Sequence, residues 1–191
     1  MNDKEIIGTP VQYQNIKDDT DELNFNMSSD LYTGSLLKTL AASKPAGRFL
    51  ELGTGTGLAT AWIVSGMDKN SSLIAIENNG LLIDVAKKNI DDSRVQFLLA
   101  DAYKWINEYR GAKFDFIFAD AMPGKYDLFE ETIAMLNSGG LYIIDDMLPQ
   151  PNWPLGHSEK VEEFIKTIES NKGLLLTKMN WSTGIIIISK K

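Results

Sequence analysis

The sequence predicts a doubly wound α/β fold, with a seven-stranded, mostly parallel sheet that ends in an antiparallel hairpin. Two observations predict it. Strand-like apolar runs alternate with segments of helical periodicity five times in succession, the pattern of parallel β-α units. The last two apolar runs are then joined by a connection around Trp181-Ser-Thr183, too short for a crossover, so that pair is antiparallel.

Residues 1–25 read as a polar, irregular, mobile arm, and the run Asp18, Asp19, Asp21, Glu22 as its solvated surface. Residues 26–191 read as a single domain. Leu31 to Ala42 is a helix, with Leu36, Leu37 and Leu40 on one apolar face. Pro45-Ala-Gly47 breaks it, and Arg48 to Leu52 is the first strand. A glycine-rich turn leads into a helix near Leu58 to Ser65. Ser72 to Ile76 is the second strand, Leu81 to Ile90 a helix, Val95 to Ala100 the third strand, and Ala102 to Tyr109 a short helix.

Phe114 to Ala119, apolar apart from Asp115, suits a fourth strand buried on both faces. Tyr126 to Leu136 is a helix whose early Asp127, Glu130 and Glu131 favour the positive end of its dipole. Asn137-Ser-Gly-Gly140 turns the chain, and Leu141 to Ile144 is the fifth strand. After the loop Met147 to Gly156, Ser158 to Ser170 is a helix with Val161, Phe164, Ile165 and Ile168 inward. Leu174 to Met179 and Gly184 to Ser189 form the hairpin. The whole is Rossmann-like, without internal repeat or low-complexity tract.

Composition narrows the function. No apolar run approaches the ~20 residues that span a bilayer, and Asp3, Lys4 and Glu5 precede no apolar leader core. Cysteine is absent and His157 is the only histidine, which excludes thiolate and multi-histidine metal sites. These features suggest a cytoplasmic protein that is not a membrane partner. A net charge of -7 with scattered basic residues repels a phosphate backbone, so a small molecule is expected rather than nucleic acid. A homodimer is left open.

The first strand runs into Glu51-Leu-Gly53-Thr54-Gly55-Thr-Gly57, where a doubly wound sheet binds its ligand. The dinucleotide spacing G-x-G-x-x-G fails in both registers, because Leu58 and Thr60 stand where the third glycine would be. Glu77 ends the second strand 24 positions after Gly53, suited to accept from a ribose diol or to cap the next helix. Asp101 ends the third strand beside Ala102 and can cap a helix as well as bind. Acids thus end five strands: Glu51, Glu77, Asp101, Asp120 and Asp145. A shared polar cleft along one sheet edge accounts for them together, since buried carboxylates are costly unless paired or solvated.

The spacing acid-x-G-x-G-x-G resembles motif I of class I methyltransferases. With Phe114-Asp-Phe-Ile-Phe-Ala-Asp-Ala121, Tyr126 and Gly139-Gly-Leu-Tyr-Ile-Ile-Asp-Asp146, the chain resembles the catechol and caffeoyl-coenzyme A O-methyltransferases from about Asn26 to Lys191. The resemblance implies S-adenosylmethionine as cofactor, held by Glu51, Gly53, Thr54, Gly55, Gly57, Glu77, Asp101, Ala102 and Asp120, with Ser29 from a helix near Asn26 to Gly34 that matches the family segment closing over the cofactor. It also implies a divalent metal, magnesium or calcium, on Asp120, Asp145 and Asp146, which would acidify an acceptor hydroxyl.

Two departures stand out. Asp146 replaces the family's asparagine, and Pro123 occupies the place of its catalytic lysine. Lys125 can serve instead if Gly124 lets the loop fold back, and His157 is the other candidate base. Trp153 is either a substrate platform or packing; Trp62, Trp105 and Trp181 read as core or sheet cover. A nucleic-acid amino-methylating enzyme would carry Asp/Asn-Pro-Pro-aromatic after strand four, whereas this chain has Asp120-Ala-Met-Pro-Gly124. A cofactor-binding module without catalysis and a nicotinamide oxidoreductase are the remaining rivals.

Overall fold

The computed structural model of the protein describes Asn2 and residues 5–191. Of the N-terminal leader expectation, Asp3 and Lys4 lie outside the described residues. Strands β1 (Arg48–Leu52), β2 (Ser72–Glu77), β3 (Val95–Leu99), β4 (Phe114–Ala119), β5 (Leu136–Ile144), β6 (Leu174–Met179) and β7 (Ile185–Lys190) form one sheet ordered β3-β2-β1-β4-β5-β7-β6. The first five pair in parallel, and β7 runs antiparallel to both β5 and β6. The expected sheet is the one that forms. Its order reverses between β1 and β4, and that switch point leaves a crevice at the strands' carboxyl ends.

The helices are α1 (Tyr13–Glu22), α2 (Leu31–Ala42), α3 (Leu58–Gly66), α4 (Gly80–Asn89), α5 (Ala102–Glu108), α6 (Phe129–Ala134) and α7 (His157–Ser170). Alternation along the strands divides the core between the two faces. Phe49, Phe116 and Phe118 pack with Ile16 of α1, Leu37 of α2 and Ile63 of α3. Leu50, Leu52 and Ile117 pack with Ile106 of α5, Ile133 of α6 and Phe164 of α7. Burying each such side chain contributes about 1.5–3 kcal/mol, so the central strands fix the frame on which the site is built. No helix among the described residues is long and apolar enough to cross a membrane.

Three expectations need correction. Part of the N-terminal arm is the regular helix α1, with Ile16 fully buried and Thr20 nearly so. Its acids are not merely solvated: Asp19 accepts from Lys88 and Asn89 of α4 at 2.9 and 2.7 Å, and Thr20 pairs with Thr56 at 2.7 Å. Secondly, the helix expected from Tyr126 starts only at Phe129, because the N–H groups of Lys125, Tyr126 and Asp127 all turn to the Met122 carbonyl. Thirdly, Asn137–Gly140 lies within β5 rather than before it. The irregular register takes it up: Leu136 pairs with Phe114, and Leu141 already with Phe116. The Asn137 amide donates to Asp115 at 2.9 Å, which pins this irregularity to β4.

Candidate active site

The glycine turn after β1 has a left-handed backbone at Gly53, Gly55 and Gly57, with φ of 92°, 54° and 93°. A Cβ on Gly53 would lie 2.5 Å from the Asp120 carbonyl oxygen, so the turn can approach the end of β4 only with glycine there. Gly53 and Thr54 donate to the Ile76 carbonyl at 3.0 and 3.1 Å, which anchors the turn to β2.

Glu77 reinforces that anchor. One carboxylate oxygen accepts from Gly55 N–H at 2.9 Å, and the other from Asn78 and Asn79 N–H at 2.9 Å each. The capping of α4 falls to Asn79, which accepts from Leu81 N–H. Asp101 does cap α5, accepting from Tyr103 N–H at 2.8 Å.

These groups open onto one cavity of about 840 Å³, within the roughly 300–1,000 Å³ usual for small-molecule sites. Its wall includes Ser29, Gly53, Thr54, Gly55, Glu77, Asp101 and Ala102. It continues over Asp120, Lys125, Asp145, Asp146, Trp153 and His157. By strand order, the acids follow one another along the sheet edge as Asp101, Glu77, Asp120 and Asp145.

Glu51 and Gly57 are the exceptions to the expected cavity wall. Glu51 is fully buried beneath the turn, where Thr54 and Thr60 hydroxyls donate to one oxygen at 3.2 and 2.5 Å. Its other oxygen has no hydrogen-bond partner. Burial pushes its pKa to about 8 despite the two hydroxyls, with Asp120 and Glu77 adding to the rise. Of the five strand-end acids, then, four share the cleft and one is an internal prop.

Lys125 folds back as the sequence suggested, through Gly124 at φ 87°. The Tyr142 hydroxyl donates to the Gly124 carbonyl and holds the turn. The Lys125 ammonium, its side chain only 6% exposed, donates to the Asp145 carbonyl at 2.8 Å and lies 3.5 Å from Asp120. Ser29 donates to the other Asp120 oxygen at 3.4 Å. Burial raises the Asp120 pKa, while Lys125 pulls it down. Asp145 is pushed to about 7 by burial and by Asp120.

The metal expectation does not fit this donor set. Among the described residues, no group of three His, Cys, Asp or Glu side chains is placed to hold an ion. Asp145 directs one oxygen to the Thr183 hydroxyl and to Asp146 N–H, and Asp146 takes a strained φ of 59°. A cationic side chain already lies against Asp120.

His157 begins α7, and its ring meets Tyr126 edge-on at 5.2 Å and Trp153 at 4.5 Å. Its pKa is lowered by burial and by Lys125 and Lys160, which leaves the imidazole neutral near pH 7. Trp153 therefore both packs and lines the cavity. Trp62 is core, Trp105 stacks on Tyr109 at 4.5 Å, and Trp181 donates to the Tyr32 carbonyl at 2.9 Å.

Sequence reasoning missed Leu23 to Phe25 as cavity wall; Phe25 reaches within 3.2 Å of where a Gly55 side chain would begin. A lone aromatic in a polar stretch was the available signal. It also missed the bond between Tyr103 and Asp127 at 2.8 Å beside the cavity, which no local pattern announces.

Fold and site together define a Rossmann-like α/β domain with its ligand cavity at the switch point of the sheet. Residues 12–183 match the O-methyltransferase family, and the chain belongs to that family. A Mycobacterium ulcerans protein provisionally named an O-methyltransferase is 29% identical over 117 residues, 58% of this chain and 52% of its own length. The chain thus spans about half the length of the curated relatives it matches. Among solved structures, an O-methyltransferase from Bacillus cereus in complex with SAH superposes with a TM-score of 0.83 at 20% identity, over 98% of this chain and 94% of its own. The O-methyltransferase TomG from Streptomyces achromogenes, in complex with SAM, gives 0.83 at 18% identity, over 98% and 93%. Both share the fold.

Proposed function

We propose that this chain transfers a methyl group from S-adenosylmethionine to a hydroxyl of a small, catechol-like acceptor. The observation that carries this reading is one cavity in which the glycine turn, Glu77 and Asp101 are continuous with Asp120, Lys125 and His157. When bound, the cofactor supplies an electrophilic methyl group on a sulfonium.

The chain's residues would do the rest. Glu77, fixed by three backbone N–H groups, has acceptor capacity left for a ribose hydroxyl. The acidic wall favours a cationic ligand. Tyr126, Trp153 and His157 form an aromatic corner against which a planar acceptor can pack. The neutral His157 imidazole takes the acceptor's proton, and the transfer itself needs chiefly in-line positioning.

One observation favours a second reading, a cofactor-binding module without turnover: Pro123 replaces a proton-transferring side chain, and Lys125 is tied to Asp120 and Asp145. Calorimetry with S-adenosylmethionine, run beside transfer of labelled methyl to a panel of catechols and simple phenols, separates the two. Labelled product supports the enzyme; binding with no product across the panel supports the module.

A further inference from the structure

We propose that the Lys125 ammonium is the resident cation of the acidic end of the cavity and keeps divalent metal ions out of it. The inference deepens the methyltransferase reading, on which it rests for the site's identity. It follows from where the ammonium lies and from how the chain is built to keep it there.

The ammonium lies 3.5 Å from Asp120 and 2.8 Å from the Asp145 carbonyl, at the end of a side chain almost wholly removed from solvent. A divalent ion holding Asp120 and reaching toward β5 would need oxygen ligands at roughly 2.0–2.6 Å. It would have to sit where the ammonium is, or beside it against like charge. Asp145 commits one oxygen to both Thr183 and the Asp146 N–H, so that Asp120 and the second Asp145 oxygen are the donors left to an ion once the ammonium is gone.

The lysine is held by more than one contact. Gly124 bends the chain at φ 87°, in a space where a Cβ would lie 2.5 Å from Leu52. Tyr142 clamps the Gly124 carbonyl, Gly124 N–H donates to the Asp127 carbonyl at 2.7 Å, and Lys125 N–H donates to Met122 at 3.3 Å. A rigid turn thus delivers the cation from the backbone. A compact ammonium with three donors can meet the Asp145 carbonyl and Asp120 at once.

The test is a titration of the full chain with Mn²⁺, followed by the loss of the free-ion electron paramagnetic resonance signal. Calorimetry with S-adenosylhomocysteine on the same samples reports separately on the cofactor reading. Wild type should leave the Mn²⁺ signal unchanged at stoichiometric protein. Lys125→Gln, which keeps a donor for Asp145, and Lys125→Met should each bind one Mn²⁺ per chain, and adding Asp120→Asn should abolish that binding. Whichever variant keeps a cooperative melt decides the matter. Saturable one-to-one Mn²⁺ binding by wild type would overturn the proposal, as would a folded Lys125 variant that still ignores the ion. Should neither variant fold, the wild-type titration decides alone: an unchanged Mn²⁺ signal supports the proposal, and saturable one-to-one binding overturns it.

Discussion

Glu77 accepts a hydrogen bond from the Gly55 backbone N–H at 2.9 Å, which ties the end of β2 to the centre of the glycine turn. The same carboxylate faces the cavity, so one side chain both shapes the turn and is offered to the ligand. Hydrogen bonds to a charged group are worth about 1.5–3 kcal/mol. Glu77→Ala is therefore expected to weaken S-adenosylhomocysteine binding by roughly 10- to 100-fold, with Glu77→Gln losing less. Calorimetry measures both.

Gly124 gives a stability prediction with an internal control. Alanine there must adopt φ 87° and meet Leu52 at 2.5 Å, whereas alanine at Gly139 must adopt φ 74° but meets nothing within 4 Å. Left-handed strain costs on the order of 1–3 kcal/mol at either site. Gly124→Ala should thus lower Tm by clearly more than Gly139→Ala, at about 2–4 °C per kcal/mol for a chain of this size. Equal losses would mean that the turn carrying Lys125 is not tightly packed.

Buried Glu51 sets a pH dependence whose sign can be worked out. Its folded pKa, about 8, lies above the ordinary 4.5. Folding thus favours the protonated acid; its contribution is complete below 4.5 and is lost as pH rises through about 8. Every tenfold difference in proton affinity between the folded and unfolded chain corresponds to about 1.4 kcal/mol. Chemical denaturation across this range should show wild type losing stability with rising pH and Glu51→Gln losing distinctly less. Asp145, raised from 3.8 to about 7, leaves a residual slope of the same sign in the variant.

The assignment of His157 predicts a kinetic signature. His157→Ala should lower kcat by roughly 10²- to 10⁴-fold while leaving S-adenosylhomocysteine affinity unchanged. Because burial and two lysines hold the imidazole below 6.5, the acid limb of the wild-type rate profile should fall below that value, with a plateau through neutrality. A variant of undiminished kcat would remove His157 from the proton path.

What could be read in advance was whatever local period or spacing encodes. Phe114 to Ala119 announced a central strand because both faces are covered, and the glycines after Leu52 announced the ligand turn. Helix α1 escaped because a single fully buried Ile16 anchors it, and its other ties reach Thr56, Lys88 and Asn89 far along the chain. Glu51 looks like a cleft residue by analogy with the other strand ends. Yet strand alternation turns it into the layer beneath α3, where Thr60 awaits it. Lys125 was legible only as an option, since its position depends on a glycine φ and on the Tyr142 hydroxyl. No spacing rule contains either of these.

An adenosyl ligand in the cavity at the glycine turn is the central requirement. Isothermal calorimetry of the full chain with S-adenosylhomocysteine, with NAD as comparison, tests this directly. One-to-one binding in the range of roughly 1 μM to 1 mM typical of enzyme ligands, with none for NAD, is the predicted result. No heat with the adenosyl compound, or a preference for NAD, would contradict it.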